Sequence, residues 1–483
     1  MQFSIIHKSN LERTFRIDAE FYKPGILKTL ELLSKKQPLI LTNYVKVSDG
    51  NHSKISEHFQ NYPGIPYYRG KDINTDFFIE NAMPLYISES KYNQKQMIRS
   101  HFFSGDVLLS IKGTIGNLSF VTDALKKSTG SRSIATLRPV SEISSEYIAI
   151  FLMSKYGQVQ LQRMPRGTAQ MEIILEDFDQ IQLYPCSDKL NQSIKKIVQL
   201  SIKLNAARKQ HYCKAEKILS DALDLNEFQI QSKLSFTKNF SDVKQVERYD
   251  AEYFQPKFDE IIKRVNKYRN GYKYLEDLTL LIGHPANPPS GLNNTKEKTF
   301  IITEKHLGNY FPNDKFWNDQ EVLYTTDEFT MKNKEYLLDK NDIIIYSVGA
   351  AYVGKANLYN LPVRTICGSS LTLVRPIQQL MDPYYLLVFL NSSIGRLLTR
   401  RNLRGSVQQC IYPCDTKKIP IPMVDKSIQE QIKTTVREGK KAYNKSKELL
   451  NVAKKSVEIA IEINEEAASS FIDTELQKIL LTI

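Results

Sequence analysis

The sequence predicts an α+β protein. Two mixed α/β domains are joined by two long antiparallel, coiled-coil-like helices, with a pseudo-two-fold internal duplication. Three observations lead to this fold class. The same series of motifs occurs twice, at offsets of 232 to 238 residues. Each series contains short β-type runs between Gly, Asn and Asp turn signals. Each also ends before a long segment with apolar positions at alternating spacings of three and four.

The duplication is read from paired motifs that keep their order. RIDAEFYKP at 16–24 corresponds to RYDAEYFQP at 248–256, and RGTAQ at 166–170 corresponds to RGSVQ at 404–408. Offsets that drift by a few residues are expected when loops are inserted into a duplicated unit.

Each copy is expected to contain the same elements in the same order. A short amphipathic helix comes first, then β-strands, a Tyr-rich helical segment, and an extended run that ends in proline. The segments are Ile26 to Leu33, VLLSI, 146–156 and 180–185 in the first copy, and Phe258 to Val265, IIIYS, 383–394 and 419–422 in the second.

A long helix is predicted after each copy, because apolar and small residues recur at heptad-like spacing. The first seam contains Leu190, Ile194, Ile197, Leu200, Leu204, Ala207, His211, Ala215, Ile218 and Ala222. The second contains Ile428, Ile432, Val436, Gly439, Tyr443, Ser446, Leu450, Ala453, Val457 and Ala460. A helix of this length spans about 50 Å at 1.5 Å per residue.

These elements predict a division of the chain into six parts. They are a first domain (1–186), a long helix (187–225), a linker (226–247), a second domain (248–423), a second long helix (424–464) and a carboxyl-terminal tail (465–483). The tail is expected to resemble the linker and to close the ring of repeats against the amino terminus.

Composition limits the possible functions. Among 483 residues, Lys and Arg exceed Asp and Glu by 13, which favours a polyanionic partner. Five cysteines without a zinc-type spacing indicate a reducing compartment, with no disulfide framework and no metal site. The absence of a secretory signal or a long apolar run leads us to expect a cytoplasmic protein.

With the paired RxDAE openings, the GD…SxxG-type strands and the RG[TS]xQ turns, the chain resembles the specificity (S) subunit of type I restriction–modification systems. The resemblance implies two target recognition domains, each reading one half of a bipartite double-stranded DNA site. It implies a non-catalytic subunit whose helices fix the gap between the halves and dock methyltransferase (M) subunits, which restriction/translocase (R) subunits then join. S-adenosylmethionine, ATP and Mg are then expected on the partner subunits, with no cofactor in this chain.

Candidate DNA contacts are cationic, amide or hydroxyl side chains near turns. They are Tyr68, Arg69, Lys71, Lys112, Thr114, Arg163, Arg166, Thr168 and Gln170 in the first copy, and Lys305, Arg400, Arg401, Arg404, Ser406 and Gln408 in the second. Residues shared by both copies are expected to hold structure or phosphate. Residues that read bases are expected in the unmatched stretches 49–62, 74–100 and 284–320. No catalytic residue is predicted.

Alternative functions remain at this stage. The chain could be the specificity subunit of another defence assembly or of a type IIB-like enzyme, or a non-DNA adaptor. A self-contained methyltransferase is suggested by Asn287-Pro288-Pro289, but Ser290 stands where an aromatic residue is needed to stack on a flipped base. A self-contained nuclease lacks a convincing acidic set. The Asp18/Glu20 and Asp250/Glu252 pairs are interpreted as ion-pairing or capping residues.

Overall fold

The computed structural model describes residues 4–8, 11, 16–60, 64–73, 76–82, 84–167, 171–226, 231–289, 299–313, 323–349, 353–405 and 408–481. The helices are α1 (Pro24–Ser34), α2 (Glu89–Tyr92), α3 (Ser145–Met153), α4 (Lys155–Arg163), α5 (Asp188–Ala222), α6 (Phe240–Val246), α7 (Pro256–Asn266), α8 (Asp327–Lys332), α9 (Pro383–Asn391), α10 (Ser393–Arg401), α11 (Pro413–Lys417), α12 (Lys426–Glu462) and α13 (Glu465–Leu481).

The strands of the first half are β1 (Leu39–Ile40), β2 (Val45–Asp49), β3 (Phe59–Gln60), β4 (Ile65–Tyr68), β5 (Leu85–Ile87), β6 (Val107–Ser110), β7 (Leu118–Phe120), β8 (Thr129–Gly130), β9 (Ile134–Pro139) and β10 (Gln182–Leu183). Those of the second half are β11 (Tyr272–Tyr274), β12 (Thr279–Gly283), β13 (Thr299–Ile302), β14 (Tyr324–Thr325), β15 (Ile343–Tyr346), β16 (Ala356–Leu358), β17 (Thr365–Cys367), β18 (Leu371–Pro376) and β19 (Pro420–Pro422).

The chain forms two compact units. The first unit contains residues 1–206 and 442–483, and the second contains residues 207–441. Both boundaries fall inside a long helix, so α5 and α12 each contribute to both units. The six-part division predicted from the sequence stays a prediction, although α5 and α12 begin and end within two or three residues of the bounds expected for the long helices.

The two units repeat one sheet topology. The main sheet of the first unit has the antiparallel order β2-β9-β6-β7, and that of the second unit has the order β12-β18-β15-β16. Beside it, β4 pairs in parallel with β8, and β13 pairs in parallel with β17. A third pair joins the start of each copy to its end, β1 with β10 and β11 with β19. The predicted duplication is therefore a duplication of the fold.

The central strands β6 and β15 are covered on both faces, which explains their uninterrupted apolar sequence. Val107 and Leu109 lie in the main core of the first unit, whereas Leu108 lies in a smaller core with Tyr68. In the second unit Ile344 likewise faces away from the main core that contains its two neighbours.

A glycine at the same position in both units allows two short helices to approach each other closely. A Cβ atom on Gly157 would lie 2.4 Å from the Phe151 carbonyl oxygen, and one on Gly395 would lie 1.8 Å from that of Phe389. The turns between α3 and α4 and between α9 and α10 therefore require glycine, because a backbone contact this close leaves no room for a side chain. The Tyr147 hydroxyl also donates to the Tyr184 carbonyl at 2.9 Å, which fixes α3 against the end of the copy.

The long helices pack against each other within both units. In the first unit the buried hydroxyls of Ser201 and Ser446 lie 2.8 Å apart. In the second, a Cβ on Gly439 would lie 2.7 Å from the Tyr212 ring. Ser201, earlier in α5, contacts Ser446, later in α12, whereas Tyr212, later in α5, lies beside Gly439, earlier in α12. The two helices are therefore antiparallel.

The predicted seam of α5 is wrong in its middle. Leu200, Leu204, His211 and Ile218 are only half-buried, and the buried stripe runs instead through Ser201, Asn205, Arg208, Tyr212 and Leu219. Polar side chains occupy the contact there, and apolar spacing cannot reveal them. The α12 seam is confirmed where Ile432, Val436 and Ala453 are fully buried.

Helix α13 packs in the first unit. Ala468, Ile472 and Ile479 belong to its main core, and the Glu465 carboxylate accepts a hydrogen bond from the Ser187 backbone nitrogen at 2.8 Å. The tail is thus held at the start of α5.

The five cysteine thiols are free. None of the described helices combines the length and apolarity that crossing a bilayer requires.

Candidate nucleic-acid interface

The amino-terminal segment of the first unit contains one side of an arginine–aromatic stack. The Phe21 ring lies between the guanidinium groups of Arg16, 4.7 Å from its centroid, and Arg163, at 4.3 Å. Arg16 also binds the Asp18 carboxylate at 2.7 and 2.8 Å and donates to the Met164 carbonyl at 2.7 Å. The hydrogen bond from Arg16 lowers the pKa of Asp18. A desolvated cation–π stack of this kind stabilises the folded state by about 2 kcal/mol. These arginines therefore stabilise the first unit.

The second unit repeats this stack. Tyr253 lies between Arg248, at 4.4 Å, and Arg401, at 4.6 Å, and Arg248 binds the Asp250 carboxylate at 2.7 Å. The ion-pairing interpretation of the RxDAE segments is confirmed. Arg163 is 6% exposed and the Arg401 side chain 18% exposed, so both take part in the packing of the stack, and their assignment as DNA contacts stays a prediction.

A second shared pair anchors the RG turns. Arg166 binds the buried carboxylate of Asp177 at 2.5 Å, and Arg404 binds that of Asp415 at 2.8 and 2.9 Å. The hydrogen bond to Asp415 raises the pKa of Arg404. These guanidinium groups bind carboxylates, which agrees with the expectation that residues shared by both copies hold structure or phosphate, and their assignment as DNA contacts stays a prediction.

The RG turns close as short loops. Arg166 and Glu172 exchange backbone hydrogen bonds at 2.8 and 2.9 Å, as Arg404 and Cys410 do in the second unit. The glycine after each arginine has a positive φ, 109° at Gly167. Predicted contacts Thr168, Gln170 and Ser406 lie outside the described residues, whereas Gln408 is described and exposed.

The three predicted contacts at the turn after β4 differ in exposure and in hydrogen-bond partners. Tyr68 is 2% exposed and packs near Phe102 in the smaller core, and its assignment as a DNA contact stays a prediction. Arg69 binds the Asp72 carboxylate at 2.9 and 3.0 Å, and that carboxylate accepts the Arg69 backbone N–H at 2.8 Å, closing the turn. Lys71 is exposed at the tip.

The turn after β13 has the same shape but different chemistry. Here the His306 Nδ1 accepts the Thr303 backbone N–H at 2.8 Å, in the position of the Asp72 carboxylate. Burial lowers the pKa of His306 to about 4, so the ring is neutral at pH 7. Lys305 is exposed at the tip, as Lys71 is in the first unit. Within the described part of the chain, neither lysine forms an ion pair.

Neighbouring loops converge on the Lys71 turn. The Gly70 N–H donates to the Ser133 hydroxyl at 2.8 Å, and the Thr114 hydroxyl donates to the Gly70 carbonyl at 3.2 Å. A Cβ on Gly70 would meet Ser133 Oγ at 2.9 Å and the Lys112 carbonyl oxygen at 3.1 Å, so this close approach needs glycine. Lys112 forms an ion pair with Glu172, which joins this turn to the RG loop.

Sequence reasoning missed Arg132. This residue is exposed, and its N–H donates to the Asn51 carbonyl at 3.1 Å, beside the Ser133 contact to Gly70. The sequence does carry a signal for Arg132, because residues 131–133 directly precede β9 and lie beside the Lys71 turn. We define the first-unit loop cluster as residues 49–53, 69–72, 112–116, 131–133 and 166–167 with 171–172.

The second-unit loop cluster consists of residues 284–289, 303–306, 347–349, 368–370, 404–405 and 408–410. The Ser370 hydroxyl donates to the Glu304 carboxylate at 2.7 Å, and the Gly349 N–H donates to the Gln409 carbonyl at 2.8 Å. The Asn287 side-chain oxygen accepts from Ser369 at 3.1 Å, so Asn-Pro-Pro is part of this loop packing. Among the described residues, no group of three or more His, Cys, Asp or Glu side chains could hold a metal ion.

Comparison with known proteins gives a family match over part of the chain. Residues 292–451 match the family model described as "Type I restriction modification DNA specificity domain". These residues, about a third of the chain, are therefore similar to a DNA specificity domain.

Solved structures give weaker similarities. The S subunit of a type I restriction–modification system from M. genitalium is 11% identical with a TM-score of 0.33, covering 91% of this chain and 95% of that chain. The HsdS subunit from Thermoanaerobacter tengcongensis is 14% identical with a TM-score of 0.27, covering 90% and 95%. The type IIG restriction endonuclease BpuSI is 13% identical with a TM-score of 0.30, covering 38% and 29%. TM-scores this low do not establish a common arrangement of the whole chain. No curated protein matches the sequence significantly.

Proposed function

We propose that this chain directs methylation and restriction by partner subunits to a bipartite DNA site, with each unit reading one half. The duplicated fold supports the proposal most directly. Both units keep one sheet order, one arginine–aromatic stack and one Arg–carboxylate pair beneath the RG turn. Two similar readers suit the two-fold symmetry of a DNA backbone.

The two halves of the site are expected to differ in sequence. The loop clusters share a scaffold but not their side chains, since Asp72 corresponds to His306, Gly70 to Glu304 and Arg132 to Ser369. Side chains that read base edges must differ where the bases differ, whereas phosphate contacts can be shared. Arg132 is thus proposed to read bases, and the exposed pair Lys71 and Lys305 to contact phosphates. The predicted contacts Arg69, Lys112, Thr114, Thr168, Gln170, Arg400, Ser406 and Gln408 remain proposals.

The partners follow from the same function. Methyltransferase subunits would dock on α5 and α12, carry S-adenosylmethionine, and flip out an adenine in each half-site. Restriction/translocase subunits would supply ATP- and Mg-dependent cleavage. The free thiols suit the reducing cytoplasm in which such a complex works.

Base-resolution methylome sequencing of the host, with and without this gene, tests the proposal. We expect deletion to remove N6-methyladenine from one interrupted motif, and a plasmid copy to restore it. An unchanged adenine methylome in a host whose methyltransferase gene is expressed would contradict the proposal. The neighbouring genes would then identify any other assembly that uses this subunit.

Lys71 and Lys305 provide a test of the interface. Replacing either with Gln should weaken binding to all duplexes alike and reduce the slope of log K against log salt by about 0.9, because one phosphate contact is lost. Fluorescence anisotropy across a salt series measures this slope. Lys28→Gln, on the exposed face of α1, is the matched control and should leave the slope unchanged. Equal slopes for Lys71→Gln and the wild type would remove Lys71 from the interface.

A further inference from the structure

The second unit contains a cavity of about 680 Å³ beside its arginine–aromatic stack. Four arginines line it, Arg248, Arg400, Arg401 and Arg404. Apolar surface from Tyr249, Phe258 and Leu397 lines it as well. A volume in this range and a mixture of cations with apolar surface are typical of sites for small ligands.

Arg248 has unused hydrogen-bonding capacity beside this cavity. Its side chain is 7% exposed, and its Nη1 has no hydrogen-bond partner among the described residues. The corresponding atom in the first unit, Arg16 Nη1, donates to the Met164 carbonyl oxygen at 2.7 Å. Leaving a buried charged donor unsatisfied is costly, so a ligand oxygen that reached Nη1 after a small shift of the side chain would replace the missing carbonyl.

Arg400 adds a second available cation. It forms no ion pair within the described part of the chain, and its counterpart in the first unit is the exposed Gln162. Arg401 and Arg404 bring further positive charge, although each already has an acidic partner. Of the acids that line the cavity, Asp250 is bound by Arg248 and Glu252 by Lys257, while Glu247 is exposed.

We propose that this cavity, the arginine pocket, binds a phosphate group. Several guanidinium groups around one space suit a phosphate better than a carboxylate, because a phosphate offers more oxygens to N–H donors in different directions. The phosphate belongs either to a small phosphorylated molecule or to a DNA backbone. In the second case the proposal rests on the function proposed above.

Calorimetric titration of the full-length chain with inorganic pyrophosphate, without DNA, tests the first source. The wild type should bind saturably, and Arg400→Gln, which installs the residue of the first unit, should bind about tenfold more weakly. Arg248→Lys keeps the charge but loses the forked donor and should weaken binding similarly, with its unfolding midpoint reported to show that it folds. Lys417→Gln, an exposed cation on α11 outside the pocket, is the charge-matched control and should change affinity less than twofold.

A parallel titration with a short duplex that lacks any recognised site tests the second source. If pyrophosphate binds weakly but Arg400→Gln weakens duplex binding more than Lys417→Gln does, the phosphate is that of DNA. If pyrophosphate shows no saturable binding and the two variants weaken duplex binding equally, the proposal is overturned. Succinate binding as tightly as pyrophosphate would make this a carboxylate site and would also overturn it. Because the first titration contains no DNA, its outcome is independent of whether the chain reads a bipartite site.

Discussion

Under the proposed function, replacing residues 250–423 with the corresponding domain of a type I specificity subunit should change one half of the methylated motif and leave the other half and the gap unchanged. The exchanged segment carries the second-unit loop cluster and most of its core, while α12 stays in place. The original half-site should lose its N6-methyladenine completely, since base readout in that unit is replaced as a whole. Methylome sequencing gives both halves in one measurement.

The arginine–aromatic stack sets a condition on this exchange. Arg248 remains in the recipient chain but binds Asp250 and the Leu403 carbonyl, which the donor must supply. The donor therefore needs Asp, an aromatic residue and Arg at the positions of Asp250, Tyr253 and Arg401. The matched control exchanges residues 18–185 and should change only the opposite half. A change in both halves from either exchange would refute independent reading.

Residue order was enough to predict the duplicated fold, because its signals are local. Repeated motifs, apolar β-runs and heptad spacing all lie within short windows, and they led to two α/β units with two long antiparallel helices. The middle of the α5 seam was missed for a physical reason. Ser201 is buried because its hydroxyl bonds with Ser446, which lies 245 residues away in sequence.

The candidate site was less predictable, because the role of a cation depends on partners that are distant in sequence. Arg163 resembles a DNA contact until Phe21 is found stacked on it at 4.3 Å. Arg166 and Arg404 are likewise committed to carboxylates eleven residues further along the chain. Arg132 was overlooked because only the fold brings it beside the Lys71 turn. Residue type indicated nucleic-acid binding, but it could not separate structural arginines from available ones.

Inserting seven residues into each long helix should lengthen the gap between the half-sites by about three base pairs. Seven residues add about 10.5 Å of helix, and one base pair occupies about 3.4 Å of duplex. The insertions belong between Ala206 and Ala207 in α5 and between Lys441 and Ala442 in α12, since the helices are antiparallel and must grow together. Seven residues also preserve the heptad phase, so the Ser201–Ser446 and Tyr212–Gly439 contacts can still form.

A matched pair of insertions of two residues separates length from register. Two residues rotate each helix by about 200°, which turns the buried stripe towards solvent. This variant should lose methylation altogether, whereas the seven-residue variant should methylate the same two half-sites at a longer spacing. If the seven-residue variant kept the original gap, the helices would not set the spacing, and the gap would have to be fixed by the partner subunits. If it altered either half-site sequence, reading and spacing would be coupled, and separate units for the two tasks would be excluded.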